Sequence, residues 1–311
     1  MKVIFMGTPD FAVDALKAIV QAGHEVMCVV TQPDKPKGRG KEMQFTPVKQ
    51  CAQAHQIPVL QPVKVREAES VEALRTFGAD IFVVAAFGQI LPKEILTMPK
   101  YGCVNIHASL LPKYRGAAPI QWAVINGEKE SGVTIQQMGE GVDTGDILLE
   151  KAIMLEPKET GDSLYDKLSK LGAELIVEVL PKIEKGEVIP RKQEEALSTH
   201  VGKITKAMGL IDWNKSAEEL ERLIRGLNSW PSAYTFLRGK TLKVWEAEVI
   251  KEKETGTPGN ICDVTKTSVI VNTGEGKLAL KCVQLEGKKR MEVKDFLLGY
   301  KIEAGEQLGG K

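Results

Sequence analysis

Residues 81–87, IFVVAAF, form an unbroken apolar run in the segment ADIFVVAAF. A strand with one wet face alternates polar and apolar residues, so a continuous run of this length marks a strand covered on both faces. That requires a layer of other elements on each side of a sheet. The neighbouring sequence supplies them. KVIFMGT, HEVMCVVTQ, IPVLQP and GCVNIHA read as further strands, and helical spacing of Phe11, Ala15, Ala18 and Ile19 lies between the first two. Strand–helix alternation predicts parallel pairing with right-handed crossovers. SGVTIQQMG and DILLEKAIML follow as strands, and a helix over about 163–183 closes the unit. The fold class is α/β: a Rossmann-like, mostly parallel sheet with flanking helices over residues 1–185.

The pattern then changes. Residues 186–206 are polar without periodicity and read as a linker. SAEELERLIRGLN predicts an amphipathic helix, with Ser216 as N-cap and Glu219 three residues later forming a capping box. From Tyr234 onward come short strands and Gly turns, the pattern of a small barrel over residues 207–311. Trp230 and Trp245 are expected to pack that barrel. A length of 311 residues fits two such domains.

Charge excludes little: 42 Lys and Arg face 41 Asp and Glu, with a mild cationic excess after residue 203. The five cysteines form no CxxC pair or even framework, which predicts free thiols and a reducing, cytoplasmic location. MKVIFMGTPD offers no signal-peptide pattern. No apolar stretch approaches the ~20 residues of a membrane span. No His, Cys and carboxylate cluster has metal spacing, and GxGxxG is absent, so neither metal nor dinucleotide is implied.

The chemistry concentrates in VNIHASLLPKYRGAAPIQWA, residues 104–123. Asn105 and His107 lie two apart at a strand's exit and so share one face, at the sheet edge where open α/β folds bind ligands. An amide and an imidazole there can polarise a carbonyl. The pair also fits a structural role, with both side chains satisfying the local backbone. The following turn places Lys113 and Arg115 where an anion could sit. GEGVDTGDIL adds Asp143 and Asp146 before a strand. Asp143 is the candidate to orient His107, and Asp146 suits a loop brace. Cys103, in an apolar strand, reads as packing.

HASLLPKYRG followed by the DTGD loop resembles the folate-dependent formyltransferases. The resemblance implies 10-formyltetrahydrofolate as the formyl-donor cosubstrate and no tightly bound cofactor. It assigns catalysis to Asn105, His107 and Asp143. Folate contacts fall to Ser109, Leu110, Leu111 and Pro112, with Phe87, Gly88, Gln89 and Ile90 at the pterin pocket. The implied reaction has an amine attack the formyl carbon. Asn105 and a protonated His107 then hold the oxyanion, at roughly 3–4 kcal/mol per well-aimed donor, while Asp143 keeps His107 charged and helps deprotonate the amine.

Two features resemble the branch of that family acting on methionyl-tRNA. The Pro/Gly-rich segment 31–49 carries Lys35, Lys37, Arg39 and Lys41. By composition it is a solvated loop; by resemblance it reaches the acceptor end of initiator methionyl-tRNA. The C-terminal half resembles an OB-like barrel, with Lys203, Lys206, Arg238, Lys240, Lys288, Lys289 and Arg290 as candidate tRNA contacts. A sugar-nucleotide N-formyltransferase or a non-catalytic RNA-binding protein would share parts of this pattern. Nothing demands a dimer, so a monomer is expected.

Overall fold

The computed structural model describes residues 1–37, 42–252 and 256–310. The chain divides into two compact units: Met1–Pro119, Glu130–Met154 and Tyr165–Val201 form the first, and Ile120–Lys129, Leu155–Leu164 and Gly202–Lys311 the second.

The first unit is a seven-stranded sheet. Five strands run parallel, in the spatial order Val59–Leu60, Glu25–Val30, Lys2–Gly7, Ile81–Ala85 and Cys103–His107; Glu130–Gln137 and Ile147–Met154 then add antiparallel. The chain starts in the middle, moves to one edge and returns to the other side of its first strand. The order therefore reverses between Lys2–Gly7 and Ile81–Ala85, which opens a crevice beyond their C-terminal ends. Ile81 to Ala85 is buried at every position, as the apolar run requires. One face is covered by the helix Phe11–Gln21, whose Phe11, Ala12, Ala15, Leu16 and Ile19 are buried. Its start comes so close that a Cβ on Gly7 would lie 2.7 Å from the Ala12 Cβ. The other face carries a cluster including Ile4, Met6, Phe82, Val84 and Ile95.

One contact decides where the site forms. The helix Gly161–Lys185 packs on the strand Cys103–His107 through Gly172, where a Cβ would meet Ile106 at 2.8 Å. Ile106 faces that helix, so Asn105 and His107 face the opposite way.

The stretch 186–206 divides between the units at Val201. Its earlier part is built into the first unit: Arg191 bridges Ile147, and His200–Val201 pairs in parallel with Arg115–Gly116. Polar composition reads as a linker, but Gln193, Glu195 and Thr199 hydrogen-bond to Tyr114, Arg115 and the loop around Asp143.

The second unit is an antiparallel sheet in the order Ala233–Leu237, Lys240–Ile250, Lys277–Leu285, Val269–Asn272 and Ile261–Val264, with Met291–Glu292 paired to Lys277–Leu285. A two-residue turn at Arg238 and Gly239, with φ of 49° and 75°, joins the first two strands. The tail closes the ring: Gly305 N donates to Ile261 O and Gly309 N to Phe236 O, one on each edge strand. The helix Ala217–Gly226 begins with the expected capping box of Ser216 and Glu219. It packs on Pro119–Ile125, where a Cβ on Gly226 would clash with Ile125 at 2.5 Å. Trp230, expected in the core, is 54% exposed, in the turn that precedes the first strand. Trp245 is half-buried, with Arg290 stacked on its ring at 4.8 Å. Among the described residues no helix is long and apolar enough to cross a membrane.

Candidate active site

Asn105 and His107 end their strand beside Gln136 and Thr134 of the antiparallel neighbour, in register Asn105↔Gln136 and His107↔Thr134. All four side chains therefore share one sheet face. Over them folds the 139–146 loop, and its Asp143 carboxylate is the convergence point. Oδ1 accepts from Gln136 Nε2 at 2.8 Å and more loosely from Asn105 Nδ2 at 3.4 Å. It stands 3.5 Å from His107 Nδ1. Oδ2 accepts the Gly116 backbone N–H at 2.9 Å. Three N–H donors, with the His107 ring beside them, fix the plane of the carboxylate.

His107 is 6% exposed. Its Nε2 lies 3.0 Å from Tyr114 O, and a carbonyl only accepts, so Nε2 carries the proton. Nδ1, facing Asp143, is then the ring position that can gain or give a proton.

Unusual backbone holds this arrangement. Asp143 has φ 52° and Tyr114 φ 59°, both in the left-handed region that costs a non-glycine residue energy. Gly145 sits where any Cβ would lie 1.6 Å from Gln137 O. Asp146, expected to brace this loop, meets the neighbouring strand through its backbone, where its carbonyl accepts from Gln137 N at 2.8 Å.

The SLLP turn packs beside this cluster. Leu111 is buried, its N–H donating to Thr134 Oγ1 at 3.1 Å. Leu110 lies against Gly132. The buried Ser109 spends its hydroxyl on Lys113 O at 2.7 Å, and Pro112 is half-buried. Beyond the strand next to Asn105, Phe87 is buried, and its carbonyl accepts from Thr8 Oγ1 and Gln32 Nε2, both at 3.1 Å. Gly88 adopts φ 85°, and Ile90 is 78% exposed. Gln89 turns its amide away, to Val65 N at 2.7 Å and Pro62 O at 3.1 Å. These groups stand at the C-terminal ends of adjacent strands, at one sheet edge with the Asp143 cluster.

Arg115 departs from expectation. It is 1% exposed and bound to Gln193 and Glu195, so it is no open anion site. Burial here depends on the chain returning some 80 residues later, which no local pattern announces. Lys113 alone of the pair is exposed. Gln136 and Gln193 were missed. Gln136 had a signal, since Thr134 and Gln136 break the apolar run of VTIQQ at strand spacing; Gln193 had none. Burial holds the Cys103 thiol up at about 12, in line with packing.

Among the basic residues, Lys35 is exposed on a short hairpin, Lys35–Lys37 against Glu42–Gln44, which includes Lys37. Arg39 and Lys41 lie outside the described residues. Lys203, Lys206, Lys240, Lys288 and Lys289 are exposed in the second unit. Arg238 forks onto Glu306 at 2.7 and 2.8 Å, and Arg290 pairs with Glu246 at 2.6 Å.

The profile of the Formyl transferase family matches residues 1–180, and that of the Formyl transferase, C-terminal domain, matches residues 203–301. The chain is 61% identical to methionyl-tRNA formyltransferase of Agathobacter rectalis over 98% of both chains. Against that of Lachnospira eligens it is 56% identical over 99% of this chain and 100% of the other. The chain belongs to the methionyl-tRNA formyltransferase family. Solved structures share the family's fold at lower identity. A sugar 3N-formyl transferase superposes with TM-score 0.66 at 20% identity, over 93% of this chain and 99% of its own. The methionyl-tRNA formyltransferase from Clostridium thermocellum gives 0.55 at 18%, over 80% and 93%.

Proposed function

We propose that this chain transfers the formyl group of 10-formyltetrahydrofolate to the free amino group of methionyl-initiator-tRNA, and so supplies the charged tRNA that starts translation. The observation that carries the reading is the meeting of Asn105 Nδ2 and His107 Nδ1 at Asp143 Oδ1. The amine nitrogen attacks the formyl carbon and forms a tetrahedral oxyanion. Asn105, with donor capacity left after its loose bond to Asp143, is the oxyanion donor. His107 keeps Nε2 on Tyr114 O, so its part is the proton at Nδ1. Asp143, directly or through water, takes the proton that the attacking amine loses. The carbon–N10 bond then breaks, and the proton that Asp143 took from the amine passes, directly or through water, to N10 as tetrahydrofolate leaves.

The sheet edge formed by Phe87–Ile90 and Ser109–Pro112 receives the folate, chiefly through backbone groups. The first unit, with the stretch up to Val201, carries the catalysis, and 207–311 hold the tRNA. Lys35, Lys37, Arg39 and Lys41 reach the acceptor end; Lys203, Lys206, Arg238, Lys288, Lys289 and Arg290 meet the phosphate backbone. The enzyme works in the cytoplasm as a monomer. Identity to methionyl-tRNA formyltransferases along the whole chain supports this choice of acceptor.

Incubation with 10-formyltetrahydrofolate and charged initiator tRNA should yield N-formylmethionine on hydrolysis of the product, and far less from elongator methionyl-tRNA. Formylation of an amino-sugar nucleotide with no formylation of the tRNA would overturn the reading.

A further inference from the structure

We infer that Arg115 and Gln193 are positioning residues that set the geometry between His107 and Asp143, which makes residues 191–201 a working part of the active site. The inference deepens the proposed formyl transfer and rests on it.

Arg115 is charged and almost wholly buried, a placement that is costly unless its donors are satisfied. Nε donates to Gln193 Oε1 at 3.0 Å. Nη1 donates to Glu195, at 2.9 Å from Oε2 and 3.1 Å from Oε1. The backbone is tied as well: Arg115 N donates to Thr199 O and Tyr114 N to Thr199 Oγ1, both at 2.8 Å. The residues on either side of this anchor are the ones that touch the catalytic pair. Tyr114 O accepts from His107 Nε2, and Gly116 N donates to Asp143 Oδ2. Both have positive φ, 59° at Tyr114 and 98° at Gly116. That turn aims the carbonyl before Arg115 and the amide after it at the site.

Gln193 completes the circuit from the other side. Its Nε2 donates to Asp143 O at 2.8 Å and to Gly145 O at 2.7 Å. These bonds grip the loop at the residue held in its own left-handed conformation. One buried guanidinium thus fixes the imidazole and the carboxylate by backbone, and the loop that carries the carboxylate by an amide. A guanidinium fork suits this task because its donors are rigid in plane.

The alternative is that Gln193 merely satisfies the Arg115 charge. Gln193→Glu separates the two. It keeps, and strengthens, the acceptor for Arg115 Nε, but it removes both N–H donors to the loop carbonyls. If Gln193 positions Asp143, the variant folds with a near-native melting temperature. Its KM for the folate donor stays within about twofold, while kcat falls about 10²-fold, the scale of a misplacement near 1 Å. The imidazole ¹⁵N titration of His107, one of four histidines, shifts as well. Gln193→Met removes the donors and the Arg115 acceptor together; it replaces the Glu variant if that one fails to fold, and a fall in kcat at unchanged KM and melting temperature then marks positioning, since loss of a charge partner alone would lower the melting temperature instead. Arg115→Lys, which keeps charge but loses the fork, should follow. Folded variants with wild-type kcat and an unmoved His107 titration overturn the inference. Wild-type protein that formylates no tRNA would sink the proposed function instead, and the His107 titration would still test the brace.

Discussion

Arg115 and Arg290 show two uses of one side chain. Arg115, in the first unit, is buried, and its fork holds Gln193 and Glu195. Arg290, in the second, is exposed by 44% and pairs with a Glu246 exposed by 55%, above the Trp245 ring. The buried Arg115 fork has no substitute, because the guanidinium itself is out of reach of water and its donors find no replacement when a partner is lost, even though Glu195 is exposed. An exposed pair can exchange its partner for water at little cost. Damage from single substitutions should therefore be steep around Asp143 and shallow on the barrel.

The steepest case is Asp143→Asn. Its carboxylate gathers Gln136, Asn105, His107 and Gly116, and an amide there turns one acceptor into a donor aimed at donors. We expect kcat to drop roughly a hundred- to ten-thousand-fold with the fold retained. Single-turnover assays and circular dichroism together check this; a variant within tenfold of wild type would remove Asp143 from the chemistry. Next comes Gly145→Ala. The added Cβ would meet Gln137 O at 1.6 Å, a backbone atom with nowhere to go. The loop must shift, with about 1–3 kcal/mol lost, as for other overpacked sites, and kcat falling alongside. Thermal melts and kcat measured on the same preparation should fall together.

The same contrast explains what could be read in advance. The buried strands were legible because burial on two faces leaves an unbroken apolar run, as in IFVVAAF, although this strand stops at Ala85. Asn105 and His107 were legible because a period of two puts them on one face. Asp143 stood out as an acid in a Gly turn. Arg115 was misjudged and Gln193 unseen for one reason. Their roles arise from contacts across about 50 to 80 residues, and a polar segment that docks looks, residue by residue, like one that only connects. Trp230 is a smaller instance: its composition predicts burial, and a local turn overrides it.

Glu195 tests the brace by pH. Its hydrogen bond to Arg115 holds the carboxyl below its ordinary 4.5. A carboxyl lowered on folding adds stability above its unfolded pKa and loses it as pH falls through the folded value. Wild type should therefore melt above Glu195→Gln at neutral pH, and the gap should close as pH drops below 4.5. Glu195 is largely exposed, so the gap will be small. A gap that stays constant down to pH 3.5 would show that the pair does not couple to folding.

The shallowest expected effect is at Arg290→Ala. Removing an exposed ion pair costs about 0–1 kcal/mol, so the melting temperature of this variant should barely move, in contrast with Gly145→Ala. On the proposed reading its consequence lies in tRNA binding. One lost phosphate contact should weaken affinity alike for all tRNAs and reduce the slope of log affinity against log salt by about 1. Arg290→Lys should restore that slope, since a phosphate contact needs charge more than a fork. The same conservative exchange at Arg115 is expected to fail. Rescue at both positions, or at neither, would show that depth of burial does not decide which arginine can be replaced.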